Sequence, residues 1–374
     1  MKNKEAEQTL KFYSLDRILE KNAQYNIIFG ERSNGKTYAV LERMLKNYVK
    51  NGKQGAIIRR WKEDFRGKRG ATMFDSLVEN GVVSRLTNGE YSTVYCYSGR
   101  WYLANPDPKG TDKKIAASEP FCYGFALSDV EHDKSTSYPK VNMILFDEFL
   151  TRQYYLPDEF VTFMNVLSTI IRQRDDVKIY MLGNTVNQYC PYFTEMGLNH
   201  VKEMEKGSID VYQYGESKLK VAVEYADSIS KEGKPSDVYF AFNNPKLSMI
   251  TGGAWEMAMY PHLPMKYLPK NIIFKFFMDF NDQLLQCEVV QVKDTVFIYI
   301  HRKTTKIQDE DKDLIYSMTH DARPNHIRNM RKSHQPINIK IAKFFAENKV
   351  FYQDNEVGEI VRNYLIQCAH DVVQ

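Results

Sequence analysis

YNIIFGERSNGKTYAVLERML, residues 25–45, decides the fold of this chain. Its first five residues form a compact apolar run of the kind that makes a buried strand. A glycine-bounded loop follows, and then a stretch to about residue 52 whose apolar residues recur at helical spacing. Strand, glycine loop and helix open a βαβ unit. Within the loop, Gly30, Gly35, Lys36 and Thr37 satisfy G-x-x-x-x-G-K-[ST]. The bare pattern arises by chance in roughly one chain in a hundred of this length, and the lead-in strand and lead-out helix make it far more selective. The chemistry explains the residue types. Glycines let the backbone curl so that successive N–H groups face an anion at the positive end of the next helix. Lys36 would reach the β- and γ-phosphates of ATP, and the Thr37 hydroxyl would ligate Mg²⁺. Arg32, inside the loop, could touch phosphate in cis. The competing reading is a glycine turn that binds nothing.

Working outward, such a loop needs an acidic strand end as its partner, and MILFDE (143–148) supplies one. Met143–Phe146 reads as a buried strand, and Asp147 at its carboxyl end can hold Mg²⁺ through water. Glu148, one residue on, suits a general base for an attacking water. A kinase built on this loop usually lacks that adjacent glutamate, so the pair points to hydrolysis. By itself an Asp-Glu pair is more often a cap for the next loop. The strand VKIYMLGN (177–184) ends on Asn184. In P-loop ATPases with an adjacent catalytic glutamate, an additional strand lies between the P-loop strand and the acidic strand, and a polar residue at its tip senses the γ-phosphate. Asn184 fits that place, and fits equally well as a turn former in GNT. Just before it, PDEFVTFMNVLSTIIRQR (157–174) reads as a helix opening on Pro157 and closing on Arg172 and Arg174. These arginines are either a dipole-favoured solvated helix end or an arginine finger aimed at a neighbouring subunit's nucleotide.

Further out the alternation continues. Residues 14–22 read as a short helix capped by Ser14, 55–60 and 120–128 as strands, and 91–105 as a hairpin turning at Ser98-Gly99. Residues 1–210 are thus expected to form a mostly parallel α/β domain. After Gly207 the texture shifts to Gly, Pro, Ser and charge, so 211–256 is expected to be a linker or lid. Residues 257–374 are expected to form a separate α+β domain, with a meander over 272–280, 284–292 and 295–303 and helices near 322–333, 337–348 and 355–370. The chain length of 374 residues agrees with two or three domains. A composition of 43% hydrophobic and 26% charged residues excludes a disordered or fibrous protein. No apolar run approaches the roughly 18 residues of a membrane span, and the polar first residues do not resemble a secretory signal. Five scattered cysteines with no CxxC pair argue against a zinc knot or disulfide framework.

The net charge of +4 is too small to identify a partner, so the placement of basic residues matters more. RRWKEDFRGKRG (59–70) is the densest basic segment. Arg59, Arg60, Lys62, Arg66, Lys68 and Arg69, interleaved with Trp61 and Phe65, suit a DNA backbone, or else form a solvated loop. HIRNMRKSH (326–334), expected on a helix, with HRK (301–303) nearby, could meet nucleic acid or an acidic protein surface.

Taken in this order and spacing, GERSNGKT, MILFDE, IIRQRDD and YMLGN resemble the DNA-packaging (encapsidation) ATPases of small protein-primed podophages, relatives of large terminase ATPases and FtsK/HerA translocases. The resemblance carries specific motifs over the first ~210 residues and architecture alone beyond them. It implies a P-loop ATPase domain of the additional-strand, catalytic-glutamate type, a linker or lid, and an RNase H-like C-terminal domain. It also implies ATP and Mg²⁺ as cofactors and a homo-oligomeric ring, generally a pentamer, on the portal of a procapsid, driving viral double-stranded DNA inward. Further implications are a structural RNA as a possible docking partner and a location in the infected cell's cytoplasm, transiently on the procapsid. Lys36 and Thr37 become Walker A residues, Asp147 and Glu148 Walker B residues, and Arg172 or Arg174 the trans-acting arginine. A two-metal nuclease needs converging carboxylates. Asp279, Asp282, Asp321 and Asp354 fall in no defensible motif, so the C-terminal domain is expected to be a nuclease relic. The alternatives are a terminase with live nuclease activity, a helicase or AAA+ ring, and a non-enzymatic portal-docking scaffold.

Overall fold

Strands that are apolar on both faces must be covered on both faces, which favours a parallel sheet flanked by helices. In the computed structural model, which describes residues 13–110, 113–129, 136–152, 154–185, 190–227, 260–263, 265–280 and 283–371, this is how the N-terminal motifs are held. The chain divides into two units. The first comprises Met1–Thr151, Asp158–Gln188 and Glu195–Trp255, and the second comprises Arg152–Pro157, Tyr189–Thr194 and Glu256–Gln374.

The first unit is built on a ten-stranded sheet. In chain order its strands are β1 (Tyr25–Gly30), β2 (Gln54–Arg59), β3 (Thr93–Tyr97), β4 (Arg100–Pro106), β5 (Lys114–Ala116), β6 (Cys122–Ala126), β7 (Val141–Asp147), β8 (Lys178–Asn184), β9 (Ile209–Gln213) and β10 (Lys220–Tyr225). Across the sheet they lie in the order β3-β4-β6-β2-β7-β8-β1-β10-β9, with β5 paired to β4. The run from β6 to β10 is parallel, and the antiparallel pairs sit at the two ends. β8 lies between β1 and β7, so the additional strand is where the motif order requires it. Helix Lys36–Asn51 buries Val40, Leu41, Met44 and Leu45 at helical spacing against Ile28, Ile57 and Leu145 of the sheet.

The second unit carries a six-stranded sheet of β11 (Ile272–Phe280), β12 (Gln283–Val292), β13 (Thr295–Arg302), β14 (Ile315–Ser317), β15 (His326–Ile327) and β16 (Val350–Tyr352), ordered β15-β14-β11-β12-β13-β16. β11, β12 and β13 form the expected meander, and β14 adds parallel to β11. Alternate residues Phe276, Met278, Phe280, Leu285, Cys287, Ile298 and Ile300 face Val357, Ile360, Val361 and Tyr364 of helix Asn355–His370. This is the two-residue period of a sheet with one face in the core. Among the described residues no helix is long and apolar enough to cross a membrane.

Two expectations are corrected. The start of 211–256 is not a linker, because β9 and β10 complete the large sheet and β10 pairs directly with the P-loop strand. Polar and charged residues on β9 hid a strand that sits at an edge, where alternate residues meet water. The remainder, 228–256, lies outside the described residues. Second, 322–333 is turn and short strand rather than helix. Its backbone is satisfied from elsewhere, since the Asn338 amide donates to Met330 O and Ser333 O, both at 2.8 Å. Residues 67–86 contain three five-residue helices, too short for a helical period to repeat in the sequence.

Candidate active site

The glycine loop leaves β1 beside the end of β8, where Thr185 N donates to Gly30 O at 3.1 Å. Gly30 packs on β10's end: a Cβ there would lie 3.1 Å from Ala226 O. Gly35 adopts φ +88°, a left-handed conformation open to glycine, and directs the loop's N–H groups into helix Lys36–Asn51. Lys36 is only 5% exposed. Its Nζ donates to Glu31 O at 2.6 Å and to Asn34 Oδ1 at 3.0 Å. Burial pulls the ammonium pKa down to about 8, against the opposing pull of the Asp147 carboxylate. Asn34 is itself buried, and its Nδ2 has no hydrogen-bond partner among the described residues. A buried ammonium and an orphaned buried donor in one loop fit an incoming phosphate chain. Thr37 Oγ1 lies 3.2 Å from Asp147 Oδ1. A hydroxyl and a carboxylate converging at that distance are the hard oxygen ligands Mg²⁺ prefers.

Asp147 is buried at the end of β7, whereas the Glu148 side chain is 63% exposed. Glu148 holds φ +60°, a strained value for a non-glycine residue. The turn is pinned by Glu148 N donating to Asp147 Oδ1 at 3.1 Å and Phe149 N donating to Leu182 O at 3.1 Å. The strained backbone thus sends two adjacent carboxylates to different places, one inward toward Thr37 and one outward to solvent. At the tip of β8, Asn184 is in register with Gly30, beside the loop.

Arg59 and Arg60 were expected on DNA, and the structure corrects both. β2 runs parallel beside β7, with Ile58 opposite Phe146, so the residues ending β2 arrive at the acidic pair. Arg59 reaches Asp147 Oδ2 at 2.7 Å and Glu148 Oε2 at 2.8 Å, joining both carboxylates. Arg60 is buried in a bidentate pair with Glu159, at 2.7 and 2.9 Å, and donates to Phe149 O at 2.9 Å and Glu148 O at 3.3 Å. Together these two arginines fix the acidic turn from below. Neither they nor Asn34 stood out as nucleotide-site residues in the sequence; the only available signal was a charged pair ending an apolar strand.

The remaining candidates separate cleanly. Arg174 donates to the carbonyls of Ile170, Ile171, Tyr138, Pro139 and Val141 at 2.5–3.2 Å, so it staples the helix end to the loop before β7 and is not free to act as a finger. Arg172 is exposed at the cap of helix Glu159–Ile171 with one carbonyl contact, Thr136 O at 3.2 Å. Arg32 is exposed in the glycine loop. Arg66, Lys68 and Arg69 are exposed and Lys62 is half-buried along the helical turns Lys62–Phe65 and Gly67–Ala71 and the residue that joins them, three of the four paired with Asp129, Glu63 and Asp64. Phe65 turns inward, 5.9 Å from the buried Trp101 ring, and is not offered for stacking.

In the second unit Asp279 sits on β11 opposite Ser317. Asp321 is held by Arg323 at 2.7 Å, which keeps its carboxyl well below the usual range. Asp354 caps helix Asn355–His370 through Val357 N at 2.8 Å. Asp282 lies outside the described residues. Among the described residues no group of three or more His, Cys, Asp or Glu could hold a metal. The 326–334 segment is tied down by Arg328 and Asn329, both bonded to Asp371.

Comparison with known proteins places this geometry. The profile of the family described as Podovirus DNA encapsidation protein (Gp16) matches residues 7–236. A DNA packaging protein of Bacillus phage B103 is 29% identical over 188 residues, which is 50% of this chain and 50% of that protein. The chain thus spans about half the length of the curated relatives it matches. Among solved structures, a chain of the bacteriophage Phi-29 viral genome packaging motor assembly superposes with a TM-score of 0.57 at 18% identity, over 94% of this chain and 96% of that one. The Phi-28 gp11 DNA packaging motor gives 0.55 at 17% identity, over 98% and 100%. At these identities the structural likeness speaks to fold.

Proposed function

The chain belongs to the podovirus DNA encapsidation protein (Gp16) family, and from that premise we propose that it is an ATP-hydrolysing motor that translocates viral double-stranded DNA into a procapsid. The observation that carries the hydrolytic reading is the contact of Thr37, next to Lys36 in the glycine loop, with Asp147, and the bridging of Asp147 and Glu148 by Arg59. Lys36 and Asn34 bind and orient the phosphates. Thr37 and Asp147 are the residues that would hold Mg²⁺, which supplies charge neutralisation for the transferred phosphoryl group. Glu148, turned outward by its left-handed backbone, takes the proton of the attacking water, and Arg59 fixes where that carboxylate sits. Asn184, beside Gly30, suits a sensor of the γ-phosphate.

The reading extends to a homo-oligomeric ring, a pentamer, docked on the portal, with a structural RNA as a further docking component. In such a ring Arg172 is the arginine supplied in trans. Lys62, Arg66, Lys68 and Arg69 form the basic face for duplex phosphates. Residues 257–374 serve as an RNase H-like, nuclease-inactive domain. This is supported by a meander whose first strand is central and is extended by parallel strands, and by the capping and ion-pair roles of Asp354 and Asp321.

The test separates binding from chemistry. Lys36→Ala should abolish nucleotide binding, because it removes the ammonium from both ground and transition states. Glu148→Gln should retain ATP and reduce hydrolysis by roughly 10²–10⁴-fold, the usual worth of general base catalysis. Binding is read with a fluorescent ATP analogue and turnover by phosphate release. Near-normal turnover in Glu148→Gln would remove it as the base.

A further inference from the structure

The hairpin at the edge of the large sheet has two unlike faces. In antiparallel strands, residues directly opposite each other point the same way. On one face Val94, Trp101 and Leu103 enter the core. On the other, Tyr95 lies opposite Tyr102, Tyr97 opposite Arg100, and Arg100 opposite Tyr123, while Ala116 and Lys114 extend the same face on β5. Every aromatic on this outer face is a tyrosine. Tyr97 is 64% exposed. The Tyr95 and Tyr97 rings are nearly parallel, 13° apart with centroids at 6.5 Å, and Tyr102 lies 6.5 Å from Tyr95. With Ala116 and Ala117 these three rings line a shallow pocket of about 250 Å³. That is below the size of a typical small-molecule site. The cations stand at its margins. Arg100 is exposed beside Tyr97, and Lys114 is anchored at the sheet edge on Val94 O at 2.8 Å.

We propose that this face is a stacking platform for single-stranded DNA, with a preference for thymine. Exposed aromatic rings beside cations recognise unpaired bases through their faces and phosphates through charge. A duplex hides its base faces, so this surface is distinct in kind from the basic turns at 62–69. The pocket lining offers no carboxylate or amide to read a base edge, and its two alanines suit the C5-methyl group of thymine. The occupant is thus a strand parted from its duplex, such as a frayed end. The inference stands independently of the motor reading, since it concerns binding alone.

The test uses the full chain and fluorescence anisotropy with labelled oligo-dT, oligo-dU and oligo-rU of about 12 nucleotides, plus a duplex of equal length. Oligo-dT should bind tightest. Tyr97→Ala should weaken oligo-dT at least fivefold, the low end for one stacked base, while Tyr97→Phe keeps wild-type affinity and duplex binding is unaltered. Arg100→Ala should flatten the slope of log K against log salt by about 0.7 for one phosphate on a single strand. Wild-type affinity in Tyr97→Ala, or an equal loss for duplex, overturns the platform. Equal affinity for oligo-dT and oligo-dU overturns the thymine assignment, and tighter oligo-rU overturns the assignment to DNA. A Tyr97→Ala chain that instead loses self-association makes this face an interface between copies and likewise overturns the proposal.

Discussion

Arg59 shows how a residue's role is set by its neighbours across a sheet. Its guanidinium joins Asp147 and Glu148, and a planar fork can hold two carboxylates where an ammonium cannot. Removing it leaves two adjacent negative charges to repel each other and frees the exposed Glu148 side chain from its fixed position. Misplacing a catalytic group by about an ångström can cost about 10²-fold in rate. Arg59→Ala is expected to lower single-turnover ATP hydrolysis by that order while ATP affinity changes less than about threefold, and Arg59→Lys is expected to fall between. Unchanged turnover in Arg59→Ala would show that Glu148 needs no such support. Lys36 and Thr37 were legible in the sequence because the loop chemistry is local, set by spacing within eight residues. Arg59 was not, since its basic neighbours 60–69 made a surface patch the simpler reading and only the pairing of β2 with β7 redirects it. Arg174 and Arg172 were indistinguishable on paper for the same reason. The carbonyls that saturate Arg174 come from Tyr138, Pro139 and Val141, more than thirty positions away.

At the scale of elements, continuous apolar runs such as NIIF and MILF announced the buried parallel strands, and strand-rich runs separated by tight connections announced β11, β12 and β13. What escaped were pieces whose stability comes from their partners. β10 is the strand next to the edge and reads as polar at its ends, and β16 has three residues paired in parallel with β13. One pairing in the meander carries a pH consequence. Glu288 on β12 is buried, which works against its charge. Hydrogen bonds from His301, Tyr267 and Gln286 outweigh that cost and bring its pKa down to about 2. The bond to Glu288 in turn raises the pKa of His301 on β13 above its ordinary value. A histidine raised in the folded state contributes stability that is complete below its unfolded pKa of about 6.5 and is lost as pH climbs through the raised value. Glu288 contributes in the opposite sense, with stability present above about pH 4.5 and lost as pH falls toward 2. Thermal unfolding of the full chain should therefore show the transition that includes β12 and β13 moving to lower temperature as pH rises above about 6.5. His301→Gln should flatten that dependence. A pH-independent melting temperature in the wild-type chain would remove the coupling.

At the scale of the molecule, the proposed motor would draw its nucleotide loop, metal ligands, base and anchor from one chain, but within the described residues Arg172 is directed to Thr136 O and not to the phosphate loop. Charge develops on the γ-phosphoryl group as it leaves, and an arginine delivered from a neighbour contributes about 10³–10⁵ in rate. The ring proposal therefore rests on subunits completing one another's sites. The measurement that tests it most directly is DNA-stimulated ATP turnover in mixed assemblies. Arg172→Ala chains and Glu148→Gln chains should each be inactive alone, with ATP affinity near wild type. Mixed, they should regain turnover, because a site with an intact Glu148 can then receive Arg172 from a Glu148→Gln neighbour. If Arg172→Ala alone hydrolyses ATP at the wild-type rate, or if no ratio of the two restores turnover, the account of a ring whose subunits share active sites is contradicted.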